Sequence, residues 1–350
     1  MTSPWSLPDF DDHEGVHLFH DRAAGLRAII AIHSTHLGPG AGGVRFWRYA
    51  RDEDAITDAL RLSRGMSYKN AMAGLPMGGG KGVILAPADG VKTPDLLRAF
   101  GDAIASVGGR YVTAEDVGIA EADMLHIAER TPYVSGLPVA DGEAGGDPGP
   151  VTAQGVYLGI RAAAGRIGGG SEDMVGVRVA IQGVGSVGGG VARRLAADGA
   201  ILTLADVNTA RAAALGRELG ATVVDAREIL TVEADILSPN ALGAILNEGS
   251  IGALRVRAVA GGANNQLATP GDAARLHDRG ILYAPDYVIN AGGIINVALA
   301  YLGPITREAI LGRVAEIPGR LRTIWTDSAE SGLPPSVVAD CIAQGLIGRG

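Results

Sequence analysis

Two periodicities divide this chain. In residues 27–35 (RAIIAIHST) the apolar positions run almost without a break, which marks a strand buried on both faces. Residues 54–66 (DAITDALRLSRGM) instead place Ala55, Ala59, Leu62 and Met66 on one stripe, and that spacing predicts a helix. A second amphipathic helix is expected over 94–106, with Thr93 as its cap and Pro94 in its first position. Short apolar or β-branched runs at 82–86 and 111–114 read as strands. The stretch 141–150 (DGEAGGDPGP) breaks both patterns and reads as an exposed connection or hinge. Beyond it, strands are expected at 178–182, 201–205, 222–224, 235–237, 256–259 and 281–284, alternating with helical stretches. That alternation is the pattern of a parallel sheet with crossover helices. Residues 307–331 read as helical, and a C-terminal helix over 332–350 is expected to pack back on the first part of the chain.

Composition narrows the class. A chain of 350 residues is long for one compact unit, so two domains are expected. Apolar residues make up 47% but aromatics only 4%, so the core must be built mainly from Ala, Val, Leu and Ile. No apolar run is long enough to span a bilayer, and Asp9, Asp11, Asp12 and Glu14 occupy the region where a signal peptide would be basic and then apolar. The single cysteine, Cys341, leaves no disulfide framework or cysteine-based metal cluster, and no metal is expected. These features point to a cytoplasmic protein. A net charge of −8 with scattered basic residues argues against nucleic acid as a partner. The 53 glycines gather between apolar segments, where they serve either turns or close approach of backbone to a ligand.

One glycine cluster has a complete context. The strand 178–182 (RVAIQ) leads into Gly183-Val184-Gly185-Ser186-Val187-Gly188, a helix follows, and Asp206 closes the next strand. That is the dinucleotide fingerprint in its required setting. Gly183 serves the tight turn, Gly185 lets backbone approach the pyrophosphate, and Gly188 lets helix pack on strand. Asp206 is suited to the ribose hydroxyls and opposes a 2′-phosphate, so NAD is expected over NADP. Arg211, five residues on, is a group able to meet such a phosphate.

Proton-handling groups are sought next. Lys69 (SYKNAMAG) and Lys81 (LPMGGGKG) lie 12 residues apart. Lys81 ends a glycine run, which is expected to leave space for a substrate to approach it. Burial beside a second ammonium would bring its pKa towards neutrality and make it a base. Asp116, in YVTAEDVG, is a third candidate, placed to exchange protons with an amine.

Taken together, these stretches resemble the glutamate/leucine/phenylalanine/valine dehydrogenase superfamily, most closely its leucine and phenylalanine branch. The matching segments are GPGAGGVRFW (38–47), GMSYKNAMAGLPMGGGKGVI (65–84), GRYVTAEDVG (109–118) and PVTAQGV (150–156). They continue with VAIQGVGSVG (179–188), SPNALGA (238–244), VAGGANNQL (259–267) and YAPDYVINAGGIINVA (283–298). The resemblance implies an α/β fold of two domains separated by a cleft. The first, over 1–140, would bind substrate, carry catalysis and support oligomerisation; the second, over 141–331, would be a Rossmann-type NAD domain.

The resemblance also implies roles. Lys69 would hold the substrate carboxylate, Lys81 would activate the water that attacks the imino carbon, and Asp116 would exchange protons with the departing amine. Backbone at Gly42 and Gly43, with the amides of Asn264 and Asn290, would complete the polar contacts. Thr152, Ser186, Val187, Val207, Pro239, Asn240 and Ala263 would join Gly183, Gly185, Gly188 and Asp206 around the cofactor. The implied reaction is reversible oxidative deamination of an L-amino acid to its 2-oxo acid and ammonia, with the cleft closing to exclude water.

The substrate side chain would meet Ala41, Met66, Ala114, Ile294 and Val297. Glutamate dehydrogenases resemble this segment but carry a lysine at the Ala41 position, so an acidic substrate would leave its second charge unpaired here. A branched aliphatic amino acid is expected ahead of phenylalanine. Ala41 enlarges the pocket, and one methylene is worth only about 1–3 kcal/mol of discrimination. A homo-oligomer is expected, a dimer ahead of an octamer because the chain stops at Gly350. Two rivals are a catalytically silent NAD-binding protein and a 2-hydroxy-acid dehydrogenase. The first has no use for Lys69, Lys81 and Asp116 together, and the second needs a His–carboxylate pair that His126 and His277 do not suggest.

Overall fold

The computed structural model describes residues 3–137 and 146–350. The chain divides into two compact units. One comprises Met1–Gly146, Asn296–Arg307 and Ile342–Gly350, and the other comprises Asp147–Ile295 and Glu308–Cys341.

The first unit is built on strands β1 (Gly15–Asp21), β2 (Leu26–Ser34), β3 (Gly40–Ala41), β4 (Val44–Trp47), β5 (Gly78–Leu85) and β6 (Tyr111–Val112), with helices α1 (Asp52–Met72), α2 (Pro94–Ser106) and α3 (Glu121–Ala128). The sheet order is β1-β2-β5-β3-β6, and β4 also pairs with β5. β1 and β2 are antiparallel, as are β2 and β5, whereas β3 and β4 run parallel to β5.

Alternation along the strands sorts their side chains between two faces. Ile29, Ala31 and Val83 pack with Ala55 and Ala59 of α1. Ala28, Ile30, Ile32, Val44, Phe46 and Ile84 pack with Leu96, Leu97 and Phe100 of α2 and with Met124 and Ile127 of α3. By the same alternation Lys81 and Arg45 fall on the α1 side, the first two residues from Val83 and the second between Val44 and Phe46. Thr93 caps α2 as its sequence suggests, its Oγ1 accepting from Leu96 N at 3.1 Å.

The second unit begins with α4 (Gly149–Ile167) and continues with β7 (Arg178–Gln182), α5 (Ser186–Ala197), β8 (Ile201–Ala205), α6 (Thr209–Leu219), β9 (Thr222–Val223), β10 (Ile236–Pro239) and α7 (Glu248–Ala253). Then follow β11 (Ala258–Val259), α8 (Gly271–Asp278), β12 (Leu282–Tyr283), α9 (Asp286–Ile289), α10 (Gly292–Leu302), α11 (Arg307–Val314), α12 (Ile317–Ser331) and α13 (Pro335–Leu346). All six strands are parallel, in the order β12-β11-β10-β7-β8-β9. Numbered within the unit and read from the other edge this is 3-2-1-4-5-6, the doubly wound arrangement whose direction reverses beside its first strand.

Several details differ from the sequence reading. β1 had no expectation, because one of its faces is solvated and its polar residues hide the period. α1 runs six residues past 66, since Ser67 and Asn70 are buried polar residues that interrupt the apolar stripe. β5 starts at Gly78, so the glycine run is part of the strand and not a turn before it. Of the expected connection 141–150, residues 141–145 lie outside the described residues, and Gly149 and Pro150 already belong to α4. The helical stretch 307–331 is two helices. Residues 296–307 group with the first unit, whereas the sequence boundaries put them in the second. The C-terminal helix is shared: only Ile342–Gly350 joins the first unit, where Gln344 Nε2 donates to the Tyr68 hydroxyl at 2.9 Å.

Candidate functional site

In the first unit a buried lysine meets a carboxylate. Lys81 is 5% exposed, and its Nζ donates to Asp116 Oδ2 at 2.8 Å. The segment after β6 brings Asp116 there. It runs beside β4, with Ala114 O accepting from Val44 N at 2.8 Å and Val117 O from Phe46 N at 2.9 Å. A Cβ on Gly43 would run into Glu115 O and lie 2.9 Å from Asp116 Cβ, so glycine at 43 admits the carboxylate-bearing segment.

The same carboxylate oxygen accepts from Arg45 Nε at 3.0 Å, and Arg45 Nη1 donates to Asp58 Oδ2 at 2.8 Å. Asp58 also accepts from the Tyr49 hydroxyl at 2.6 Å and from Arg61 Nη2 at 2.9 Å. Burial pushes the Lys81 amine below its ordinary value; Asp116 opposes this without reversing it, and Arg45 adds to it. Burial alone would raise the Asp116 carboxyl, but Lys81 and Arg45 outweigh it and hold the group below the usual carboxylate range. The pair therefore sets a carboxylate beside an amine whose proton is held less tightly than usual.

The glycine run has a different purpose from the one expected. A Cβ on Gly78 would strike Ser34 O, one on Gly79 would strike Ser67 of α1, and one on Gly80 would lie 2.7 Å from the Tyr111 ring. Protein, not substrate, fills the space these glycines leave. They bring α1 and β6 hard against β5. Since Ser67 abuts Gly79, Lys69 lies two residues further along the helix and Lys81 two residues further along the strand. Met66 Cγ lies 2.9 Å from the Cβ position of Gly42, and Ala41 is buried in β3 opposite Gly79. Lys69, Met66, Ala114 and Val297 are half-buried. Arg45 is a cation acting on Lys81 that the sequence reading did not include.

Sequence reasoning gave no part to Arg45, Asp58, Tyr49 or Asn70. Asn70 Nδ2 donates to Gly78 O at 2.6 Å and Ala41 O at 3.3 Å, fastening β3 and β5 to α1. The signal for Arg45 was present: one charge between two apolar strand residues in VRFW. Also missed was the fully buried His33. Its Nδ1 lies 2.7 Å from Ser67 Oγ, and Arg349 Nη1 points to its Nε2 at 2.7 Å. Asp11 Oδ2 lies 3.0 Å from the same nitrogen, so Nε2 faces both a donor and an acceptor.

The second unit holds the glycine fingerprint at the reversal of the sheet. Gly183 has φ +83°, the left-handed region that favours glycine, and a Cβ on Gly188 would strike Gly183 O. Helix α5 begins at Ser186 without a side-chain cap, which leaves its first-turn amides for an anion. Beyond its chain neighbours, the nearest atom to the Cβ position of Gly185 is Arg211 Nη1 at 3.6 Å. Asp206 sits at the end of β8, with Val207 exposed beside it.

The other expected cofactor residues gather around that turn. Val187 Cγ1 and Asn240 Oδ1 each lie 2.9 Å from the Cβ position of Gly262, and Ala263 N donates to Pro239 O at 2.9 Å. The Asn240 amide is occupied internally, by Ser238 and by Gly262 N, so it shapes the loop. Asn290 Nδ2 donates to Asn264 Oδ1 at 2.7 Å and to Gly262 O at 3.2 Å, while Asn290 Oδ1 is buried with no partner. Thr152 Oγ1 lies 2.7 Å from the Cβ position of Gly293, three residues after Asn290, and Ile294 follows, half-buried. A dinucleotide fits this donor set: uncapped amides for phosphate, a carboxylate for ribose, and an orphaned amide oxygen suited to a carboxamide N–H. Among the described residues no His/Cys/Asp/Glu group could hold a metal, and no helix is long and apolar enough to cross a membrane.

A doubly wound unit with a glycine-rich turn at its sheet reversal accompanies a unit carrying a buried Lys–Asp pair, and comparison with known proteins places this architecture. Residues 13–133 match the Glu/Leu/Phe/Val dehydrogenase dimerisation domain, and residues 208–331 match the glutamate/leucine/phenylalanine/valine dehydrogenase domain. The chain is 45% identical over 333 residues to leucine dehydrogenase of Geobacillus stearothermophilus, covering 95% of this chain and 90% of that one. It is 45% identical over 342 residues to valine dehydrogenase of Streptomyces virginiae, covering 96% and 94%. The crystal structure of L-tryptophan dehydrogenase from Nostoc punctiforme superposes with a TM-score of 0.86 at 41% identity, covering 96% of each chain. This chain belongs to the glutamate/leucine/phenylalanine/valine dehydrogenase family, and is an amino acid dehydrogenase.

Proposed function

We propose that this enzyme catalyses the reversible, NAD-dependent oxidative deamination of an apolar L-amino acid, a branched aliphatic one foremost. The observation that carries the reading is Lys81, a buried amine held by Asp116 and biased towards its neutral form. Gly183, Gly185, Gly188 and Asp206 would hold NAD, with Asn290, Asn264 and Thr152 at its nicotinamide end; when bound, it accepts the hydride from the substrate α-carbon. Lys69 pairs with the substrate carboxylate. Lys81 Nζ takes a proton from water as the water oxygen bonds to the imino carbon. Asp116 carries the proton that the nitrogen needs to leave as ammonia.

Ala41, Met66, Ala114, Ile294 and Val297 offer no charge to a substrate side chain, which supports leucine, valine or isoleucine and opposes glutamate. The small Ala41, and the tryptophan dehydrogenase among the relatives, favour an aromatic amino acid as the second reading. The match of residues 13–133 to a dimerisation domain supports a homo-oligomer. NADH formation with leucine, valine, isoleucine, phenylalanine, tryptophan and glutamate tests the proposal, with NADP as a parallel arm. Branched-chain substrates should lead with NAD. Glutamate as the best substrate, or no turnover with any, sinks it.

A further inference from the structure

Charges alternate along one line in the first unit, from the buried Lys81 to the exposed Arg61: Lys81, Asp116, Arg45, Asp58, Arg61. We infer that Arg45 is a positioning residue for proton transfer, clamped by Asp58 so that in the free enzyme Asp116 keeps its negative charge once Lys81 has given up its proton. The inference rests on the reading of Lys81 and Asp116 as the proton-handling pair.

The argument is geometric. Lys81 Nζ and Arg45 Nε reach the same oxygen, Asp116 Oδ2, at 2.8 and 3.0 Å. If Lys81 were the carboxylate's sole cation, its deprotonation would leave a half-buried anion facing a neutral amine, and the proton would return or be shared. Arg45 never loses its charge, so in the free enzyme the Asp116 anion stays paired when Lys81 is neutral. The guanidinium is itself fixed from the other side, by Asp58 Oδ2, which the Tyr49 hydroxyl and Arg61 hold in turn.

Several elements around the pair contribute charged or titratable groups. Arg45 comes from β4, Tyr49 from the turn after it, Asp58 and Arg61 from α1, which also carries Lys69, and Glu115 precedes Asp116. Tyr111 comes from β6, its hydroxyl donating to Gly42 O and turned to Thr113 Oγ1. Arg45 opposes a proton on Lys81, and Asp58 favours one.

The test is the pH dependence of kcat/KM, which reports ionisations of the free enzyme. The acid limb follows loss of the Lys81 proton. In Arg45→Gln it should move up by about one pH unit, as expected for removal of a nearby like charge. In Arg45→Lys, which keeps the charge, it should stay near the wild-type position, and in Asp58→Asn it should move down. A lower kcat with unmoved limbs in Arg45→Gln, or an equal displacement in Arg45→Lys, overturns the inference. If Arg45→Gln does not fold, Arg45→Lys and Asp58→Asn decide: the first must hold the limb and the second must lower it. Lys81→Ala separates the two claims. Retained turnover in that variant removes the reading of Lys81 as the base; an inactive Lys81→Ala beside an unmoved Arg45→Gln limb removes the role of Arg45 alone.

Discussion

Val184 N donates to Asp206 Oδ2 at 2.9 Å, tying the turn after β7 to the end of β8. The other carboxylate oxygen accepts from Asn208 N at 2.8 Å. Both oxygens are thus pinned by backbone amides, yet each keeps a lone pair for a ribose hydroxyl.

For Asp206→Ala, NADH should bind more than about tenfold more weakly, the cost of losing hydrogen bonds to a charged group. NADPH should be affected less, because the repulsion of its 2′-phosphate goes with the carboxylate and Arg211 remains near Gly185. Fluorescence titration with both cofactors measures this. Equal losses for the two would mean that Asp206 organises the turn and does not select the cofactor.

Lys81→Ala should lower kcat by about 10²–10⁴-fold, the range for a positioned acid or base. NADH affinity should be unchanged, since the glycine turn lies in the second unit. Rapid-mixing kinetics together with a binding titration separate these effects, and wild-type turnover by the variant would discard the assignment.

The glycines of β5 and α1 should differ in sign. Gly79→Ala places a methyl against Ser67 and should cost roughly 1–3 kcal/mol, as overpacking does. Gly65 lies on the exposed side of α1 with open space at its Cβ position, so Gly65→Ala should add about 0.5–1 kcal/mol. Urea midpoints of the two variants against wild type test both signs at once.

His33 predicts an acid-sensitive step in stability. Burial, with Arg349 beside it, lowers its pKa from 6.5 to about 4. Above 6.5 the ring is neutral in both folded and unfolded chains and contributes no pH dependence. As pH falls from 6.5 towards 4, the unfolded chain takes up a proton that the folded one refuses. Stability should then drop by roughly 3 kcal/mol across that window. His33→Gln should flatten the pH dependence of the urea midpoint there; an unchanged slope would show that other groups carry it.

The sequence by itself determined the strand, glycine turn and helix at the start of the second unit's sheet. Arg178 through Asp206 spans one strand–turn–helix–strand, so hydrophobic period and glycine spacing suffice to place it. Asn264 and Asn290 were legible as candidates only through family resemblance, because their pairing depends on how two separate loops meet. In the first unit Lys81 and Asp116 were visible as candidates, but their bond was not. Tertiary structure alone decided that Arg45 and Asp58 complete the network, since Arg45 and Asp116 lie 71 positions apart in sequence. Strand alternation turns Lys81 and Arg45 to the same face, and sheet register and the crossing of α1 then fix which charges touch. No window of local sequence contains that information. The meaning of the glycine run also came from the fold: the absence of side chains in GGGKG reads as room, and only packing shows that Ser34, Ser67 and Tyr111 take it.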